Sequence, residues 1–177
     1  MSNPTMPAVS LLLAATCVAA AVLAPRPAGA MRVVAQATAI CQGALPAFET
    51  SIRKRPLAVQ NEGEATAFVT CSFNNPGTNT GGSRISGATV YLQNMGSART
   101  VSCTAVNSGA GASTGDALYA TKSVQVPGDP EGSTALEFIP DDFAGGAFLL
   151  PGDSLSLSCS LAPGVGITST VLVNNNN

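Results

Sequence analysis

The segment Leu155-Ser156-Leu157-Ser158-Cys159-Ser160-Leu161 decides the fold class. Apolar residues alternate strictly with serines, so one face of an extended chain would be apolar and the other would carry hydroxyl groups. This period of two is typical of a β-strand that turns one face towards a core and the other towards solvent. The segment therefore predicts a strand in a half-buried sheet.

The same alternation recurs in short segments separated by turn clusters such as Asn74-Asn75-Pro76-Gly77 and Pro151-Gly152-Asp153. Gly, Pro and Asn each favour turn conformations, and no helical periodicity of useful length follows residue 30. We predict nine strands, at residues 47–53, 57–60, 65–73, 88–93, 100–106, 117–126, 133–139, 154–161 and 167–173. The predicted architecture is all-β, a single antiparallel β-sandwich of Ig-like or jelly-roll-like type over residues 31–173, with residues 174–177 as a disordered asparagine tail.

The composition excludes several classes of function. The chain has 177 residues, of which 10% are charged, and it contains no histidine. Catalytic Ser-His-Asp or Cys-His systems and histidine-ligated metal sites therefore cannot be built. The net charge of −2 gives no basic surface for nucleic acid, so we expect no nucleic-acid partner.

An apolar leader opens the chain. Residues 8–24 are uncharged and apolar, and the small residues Ala28-Gly29-Ala30 follow, which is the layout of a secretory signal peptide. We predict a signal peptide over residues 1–30 with cleavage after Ala30, and Ala35 and Ala37 are alternative sites. An uncleaved anchor is disfavoured because 17 apolar residues, many of them alanine, are short for a membrane span. The chain is expected to be secreted or periplasmic, with no stable membrane span after cleavage.

Cleavage would remove Cys17 and leave an even number of cysteines, Cys41, Cys71, Cys103 and Cys159. In an exported chain this count predicts two disulfides, and three pairings are possible. We favour Cys41–Cys71 with Cys103–Cys159, each of which could stabilise the fold by about 3–4 kcal/mol in the chain-entropy model. Metal ligation and thiol exchange are weaker interpretations because the chain has no histidine and no Cys-x-x-Cys pair.

A short basic run, Arg53-Lys54-Arg55, precedes Pro56. It could contact an anionic glycan or lipid surface or mark a processing site. We favour a basic edge strand, in which charges and Pro discourage pairing with other chains. Ser51 and Lys54 also match the Ser-x-x-Lys pattern of penicillin-recognising enzymes, but the companion motifs are missing, so we treat the match as chance.

Acidic residues gather in the predicted loops and could bind Ca²⁺ through their oxygens, although no calcium-loop spacing is present. These residues are Asp129, Glu131, Asp141, Asp142 and Asp153. We interpret them as turn formers and predict no cofactor.

A glycan hydrolase could use a pair of carboxylates as acid and as base or nucleophile. The available glutamates are Glu49, Glu62, Glu64 and Glu137. Tyr91 and Tyr119 could form a small contact patch for a glycan or a protein, but half-buried tyrosines with solvated hydroxyls are the commoner explanation. No specific motif supports catalysis, so we predict that the chain is not an enzyme.

Four segments, each containing one cysteine, resemble segments of known proteins. They are Ala-Ile-Cys-Gln-Gly-Ala-Leu-Pro at 39–46, Phe-Val-Thr-Cys-Ser at 68–72, Val-Ser-Cys-Thr at 101–104 and Leu-Ser-Cys-Ser-Leu-Ala-Pro-Gly-Val at 157–165. With them the chain resembles a family of small secreted bacterial β-rich proteins with four cysteines, and the layout is similar to that of spore-coat and fimbrial subunits. The resemblance implies no activity.

These observations favour an exported, non-catalytic module that binds a protein or glycan ligand or has a structural role. One alternative is a fimbria-like or coat-like assembly subunit, which would donate an edge strand between chains. The other is a carboxylate-dependent glycan hydrolase, in which two acidic residues would face each other across a cleft. The oligomeric state is left open.

Overall fold

The computed structural model describes residues 30–74, 83–108, 117–130, 132–143 and 154–176. About two thirds of these residues lie in strands, which are joined by loops, two one-turn helices and a short 3-10 helix. The strands are β1 (Ala30–Gln36), β2 (Cys41–Gly43), β3 (Ile52–Arg55), β4 (Ala58–Asn61), β5 (Ala67–Asn74), β6 (Ser83–Asn94), β7 (Arg99–Ser108), β8 (Leu118–Val126), β9 (Thr134–Phe138), β10 (Ser154–Leu161) and β11 (Val165–Asn176). The helices are α1 (Ala37–Ile40), α2 (Pro46–Glu49) and the 3-10 helix η1 (Pro140–Asp142). The predicted signal peptide lies outside the described residues except for Ala30.

The strands form two antiparallel sheets. Sheet A has the order β3-β4-β11-β6-β9, and β1 pairs with the C-terminal part of β11. Sheet B has the order β2-β5-β10-β7-β8. The predicted all-β antiparallel sandwich is confirmed.

The alternation seen in the sequence positions the core between the sheets. In β10, Leu155, Leu157, Cys159 and Leu161 are buried, while the serines between them are partly exposed. Apolar residues of sheet A pack opposite them in one continuous cluster. Burying a large aliphatic side chain contributes about 1.5–3 kcal/mol, so the alternation itself determines which face turns inwards.

Two disulfides join neighbouring strands of sheet B. Cys41 lies opposite Cys71 and bonds to it, and Cys103 lies opposite Cys159 and bonds to it. The Cα atoms are 4.0 Å apart in each pair. These are the pairs that the sequence favours, and all four residues are buried in the core, away from redox partners in solvent.

Two buried asparagines connect the sheets at one end of the sandwich. Asn61 ends β4, and its side-chain amide donates to the carbonyl of Leu161 in sheet B at 2.8 Å. Asn94 ends β6, and its amide donates to the carbonyl of Val126 in sheet B at 3.4 Å. Each side-chain oxygen also accepts from the N–H of a glycine two residues later, Gly63 or Gly96, at 3.0 Å. At this end of the sandwich, the two asparagines therefore join the sheets by hydrogen bonds, in addition to the apolar core between them.

The structure corrects the strand predicted at 47–53. Pro46 begins helix α2 there, in the first helical turn that its fixed φ suits, and the strand begins only at Ile52. Phe48 of this helix is partly buried and packs on the core. The apolar residues of this stretch therefore belong to two elements, one helical turn and the short strand that follows it.

The prediction of a disordered tail at 174–177 is wrong for residues 174–176, which continue β11. Asn174 lies opposite Met31 of β1, and it also lies opposite Ile85 of β6. Backbone pairing on both sides orders the asparagines, although their composition alone suggests a loop. β1 and β2 were not predicted at all.

Candidate functional site

Charged side chains are distributed unequally between the two outer surfaces. On sheet A, outward positions are occupied by Arg32, Arg53, Arg55, Arg84 and Glu137. On sheet B, every outward position that the structure describes carries an uncharged side chain. We call this surface the hydroxyl face because most of its residues are Ser or Thr. Its residues are Gln42, Phe68, Thr70, Ser72, Thr100, Ser102, Thr104, Val106, Ser108, Tyr119, Thr121, Ser123, Gln125, Ser154, Ser156, Ser158 and Ser160.

Strand register arranges the hydroxyl groups in rows across sheet B. In the middle row Thr70 lies opposite Ser158, which lies opposite Thr104, which lies opposite Thr121. The hydroxyls of Thr104 and Thr121 are 2.9 Å apart and share a hydrogen bond. A hydroxyl offers one donor and two acceptor positions, so such a pair still has capacity to bond with a ligand.

Other hydroxyls on this face are oriented by the backbone. The Ser154 hydroxyl donates to the carbonyl of Ser108 at 2.9 Å, and the Ser160 hydroxyl donates to the carbonyl of Ser102 at 3.3 Å. These bonds use each donor hydrogen and leave the oxygen lone pairs as acceptors. The face therefore offers fixed acceptors for donating groups such as the hydroxyls of a sugar.

Two exposed aromatic rings lie at opposite corners of the hydroxyl face. Phe68 on β5 is 45% exposed and Tyr119 on β8 is 51% exposed. Phe48 of α2 packs against Phe68 with ring centroids 5.6 Å apart, and the exposed Leu45 precedes this helix. The Phe68 ring is thereby supported from its edge while part of it stays open to solvent.

The two rings are separated by three strand spacings and four residues of strand length. Phe68 lies in one row with Ser160, Ser102 and Ser123. Tyr119 lies in a different row, next to Val106. With strands about 4.8 Å apart and a rise of about 3.3 Å per residue, their Cα atoms are roughly 20 Å apart. A single sugar ring cannot bridge this distance, whereas a chain of several rings can.

The basic run lies on the edge strand β3 of sheet A. Arg55 forms a two-point ion pair with Glu62, with N–O distances of 2.6 and 2.7 Å. This hydrogen-bonded pairing lowers the pKa of Glu62. Lys54 donates to the carbonyl of Thr38, and Arg53 donates to that of Glu49, both at 3.4 Å. The side chains thus bond within the chain, on a face away from the hydroxyl face.

Of the acidic residues proposed from the sequence as metal ligands, Asp129, Asp141 and Asp142 are described, and they do not form a metal site with each other. In the described ranges no group of three or more Asp, Glu, His or Cys side chains is placed to hold a metal ion. Asp142 instead accepts from Lys122 at 2.9 Å and from the backbone N–H of Ile139 at 2.8 Å. Glu131 and Asp153 lie outside the described residues.

The glutamates proposed as a catalytic pair are spread over sheet A and its loops. Glu137 lies on the edge strand β9, whereas Glu49 and Glu62 lie near β3 at the other edge. A glycosidase acid requires a raised pKa, but the partners of Glu62 and Asp142 lower the pKa of both groups. Neither carboxyl has the property that the acid role needs.

Tyr91 and Tyr119 do not share a surface. Tyr91 faces outwards from β6 in sheet A, and Tyr119 faces outwards from β8 in sheet B. A contact patch containing both rings is therefore wrong, because the whole sandwich lies between them. In the part of the chain that is described, no helix is long and apolar enough to cross a membrane.

Several solved β-sandwich structures are similar to this chain. The GH26-CBM35 β-(1,4)-mannanase of Podospora anserina aligns with 86% of it at 12% identity and a TM-score of 0.46, and the chain spans 29% of that enzyme. The family 11 carbohydrate-binding module of Clostridium thermocellum, in complex with a β-1,3-1,4-mixed-linked tetrasaccharide, aligns with 83% of this chain and 86% of the module at 10% identity and a TM-score of 0.38. TmCBM61, in complex with β-1,4-galactotriose, aligns over 81% and 84% at 8% identity and a TM-score of 0.38.

No protein-family model matches the sequence, and no curated protein matches it. Identities of 8–12% and TM-scores below 0.5 assign neither a family nor a function to this chain.

Proposed function

We propose that this protein is an exported, non-catalytic carbohydrate-binding module that takes a neutral polysaccharide chain on the hydroxyl face. The observation that carries the proposal is the outer surface of sheet B, where rows of Ser and Thr lie between two exposed aromatic rings and no described side chain is charged. The buried disulfides suit export, because disulfides persist in oxidising compartments.

The chemistry of the face complements that of a neutral sugar. Sugar hydroxyls both donate and accept hydrogen bonds, and Ser and Thr hydroxyls do the same. Tyr119 can cover the apolar side of a sugar ring while its own hydroxyl bonds to water or ligand. A charged polysaccharide would lose its hydration on this face without gaining a countercharge, so the face favours neutral chains.

The proposed ligand is a chain and not a single sugar. The two aromatic rings are separated by roughly 20 Å, estimated from strand spacing and rise, and the hydroxyl rows between them form an unbroken surface. A chain lying diagonally would contact both rings and the Thr70 to Thr121 row between them. Affinity should therefore increase with oligosaccharide length until both rings are covered.

A binding role fits the described residues better than hydrolysis or strand donation. The described residues of the hydroxyl face include no carboxylate that could act as acid, base or nucleophile on a bound sugar. Assembly by donation of a terminal strand would require β1 and β11 to separate, although they pair along all of β1.

The test is affinity electrophoresis of the mature chain in gels containing neutral polysaccharides (a mixed-linked glucan, a galactan and a mannan) or an anionic one. We expect retardation by at least one neutral polymer and none by the anionic polymer. Tyr119→Ala should weaken binding about tenfold or more, because losing the burial of a large side chain costs on the order of 1.5–3 kcal/mol. Tyr91→Ala removes the same side chain from the opposite face and is the matched control.

An equal loss of polysaccharide affinity in Tyr119→Ala and Tyr91→Ala would show that the hydroxyl face is not the binding site. Failure of every neutral polysaccharide to retard the wild-type chain would contradict the proposed ligand class.

A further inference from the structure

The edge strands of the two sheets differ in how they are protected from pairing with other chains. Exposed edges present unpaired backbone groups, and proteins usually block them with charges, Pro or short length. β3 carries Arg53-Lys54-Arg55 before Pro56, and β2 has three residues. β9 has five residues with Glu137 facing outwards, and β1 carries the exposed Arg32. Each of these edges has at least one protecting feature.

β8 is the exception among the described edges. It has nine residues, contains no Pro, and pairs with β7 along its whole length. No described strand pairs with its other edge. Its outward residues, Tyr119, Thr121, Ser123 and Gln125, are uncharged.

The one charged residue of β8 does not protect the edge, because it is held within the chain. Lys122 faces the other side of the strand, and its ammonium lies 2.9 and 3.0 Å from the two carboxylate oxygens of Asp142. It also lies 6.0 Å from the centre of the Phe138 ring. Its charge is thus neutralised locally.

β8 also leaves apolar side chains incompletely covered. Leu118 and Val124 pack against the core from its inward side, yet both are only partly buried. An additional strand would satisfy the backbone groups and bury these side chains together.

We propose that β8 is a dimerisation edge, at which it pairs antiparallel with β8 of a second copy of this chain. A two-fold axis at Thr121 places Thr121 opposite its symmetry mate, Tyr119 opposite Ser123 and Leu118 opposite Val124. The apolar residues Leu118 and Val124 then meet, and Lys122 lies opposite Ala120 instead of another lysine, so no like charges face each other across the axis. The fit between identical strands favours a second copy over an unrelated peptide.

Such a dimer would join the two B sheets into one continuous sheet. With the axis perpendicular to the sheet, both hydroxyl faces lie on the same side, so the uncharged surface doubles in width. Dimerisation needs no ligand, and its failure would leave the proposed glycan binding untouched.

The experiment is sedimentation velocity of the full mature chain over a range of concentrations, without glycan. We expect a wild-type dimer in reversible exchange with monomer. Thr121→Lys places two like charges opposite each other at the axis and should weaken dimerisation by up to about fivefold, and Thr121→Asp should do the same. An equimolar mixture of the two variants should restore a dimer, because lysine then faces aspartate. Ala135→Lys, on the exposed side of edge strand β9, is the control and should leave the dimer intact.

A wild-type chain that stays monomeric up to its solubility limit would overturn the proposal. So would a dimer that neither Thr121 variant weakens, or one that Ala135→Lys alone disrupts. Circular dichroism checks that each variant is folded. If a Thr121 variant does not fold, the double variant Tyr119→Lys/Ser123→Lys places lysine opposite lysine on both sides of the axis and should also weaken dimerisation.

Discussion

At the scale of single residues, Asn61 and Asn94 show how a polar side chain can determine a buried position. Each occupies an Asn-x-Gly turn that ends a strand of sheet A and donates into a strand of sheet B. The repeated Asn-x-Gly signal is visible in the sequence as Asn61-Glu62-Gly63 and Asn94-Met95-Gly96. Its role was not predictable, because the accepting carbonyls lie on strands distant in sequence.

Replacing Asn61 by Ala should lower the free energy of unfolding by about 2–3 kcal/mol. The substitution leaves the buried carbonyl of Leu161 and the N–H of Gly63 without their partner. Urea denaturation measures the change, and Glu64→Ala, an exposed position in the same turn, should change stability little. A loss in Asn61→Ala no larger than that in Glu64→Ala would show that the amide does not hold the sheets together.

The second prediction at this scale concerns pH and Asp142. Burial raises the pKa of this carboxyl, but the Ile139 N–H and Lys122 together outweigh burial, so the pKa lies below its usual value. A lowered pKa means that the group stabilises the fold fully above its usual pKa of about 4 and loses that effect as the pH falls through the lowered value. Asp142→Asn should therefore be less stable than wild type at pH 7, by about 1–2 kcal/mol.

The difference in the free energy of unfolding between wild type and Asp142→Asn should become smaller as the pH falls below about 4. Denaturant unfolding at several pH values measures it. Asp141→Asn changes the neighbouring exposed carboxyl and is the matched control. A difference that stays constant down to pH 2 would contradict the ion-paired role of Asp142.

At the scale of elements, strict alternation predicted the strands that bury one face, of which β7 and β10 are the clearest. β1 was missed because Val33 and Val34 are adjacent and interrupt the alternation, and because its inward residues are only partly buried. The register of a strand with both edges paired, such as β11, depends on neighbours distant in sequence. For this reason the sequence could suggest the sandwich but could not show that the asparagines after Val173 are strand.

The hydroxyl face was only partly predictable. The serines of β10 are visible as outward positions in the sequence, but their alignment with Thr70, Thr104 and Thr121 depends on strand order and register. The sequence likewise could not place Tyr91 and Tyr119 on opposite surfaces. Chemistry of individual residues was predictable, whereas their grouping on one face was not.

The third prediction concerns β1. A chain that begins at Thr38 lacks β1, uncovers β11 and removes Val33 and Ala35, which line an apolar cavity of about 200 Å³ with Phe73 and Leu172. We expect it to be less stable than a chain that begins at Met31 by roughly 2 kcal/mol or more, from the lost burial of Val33 and its neighbours. Urea denaturation of the two chains measures the difference. Equal stability would mean that β1 adds nothing to the fold.

At the scale of the whole molecule, the two outer surfaces have different chemistry. The outer face of sheet A carries charged side chains, among which Arg55 pairs with Glu62, whereas both disulfides lie behind the uncharged outer face of sheet B. Because the disulfides join β2 to β5 and β7 to β10, they fix the strands on which the hydroxyl rows lie. The fold thus provides a stiff, uncharged surface for a ligand, with the charges at other sites.

Mapping of backbone amide NMR shifts shows directly whether a neutral polysaccharide binds on the hydroxyl face. The mature chain is titrated with an oligosaccharide of the polymer that retards it in electrophoresis. We expect shifts concentrated in β5, β7, β8 and β10, with the largest near Phe68, Ser158 and Tyr119. Shifts concentrated on the outer side of sheet A around Tyr91, or at the basic strand β3, would contradict it.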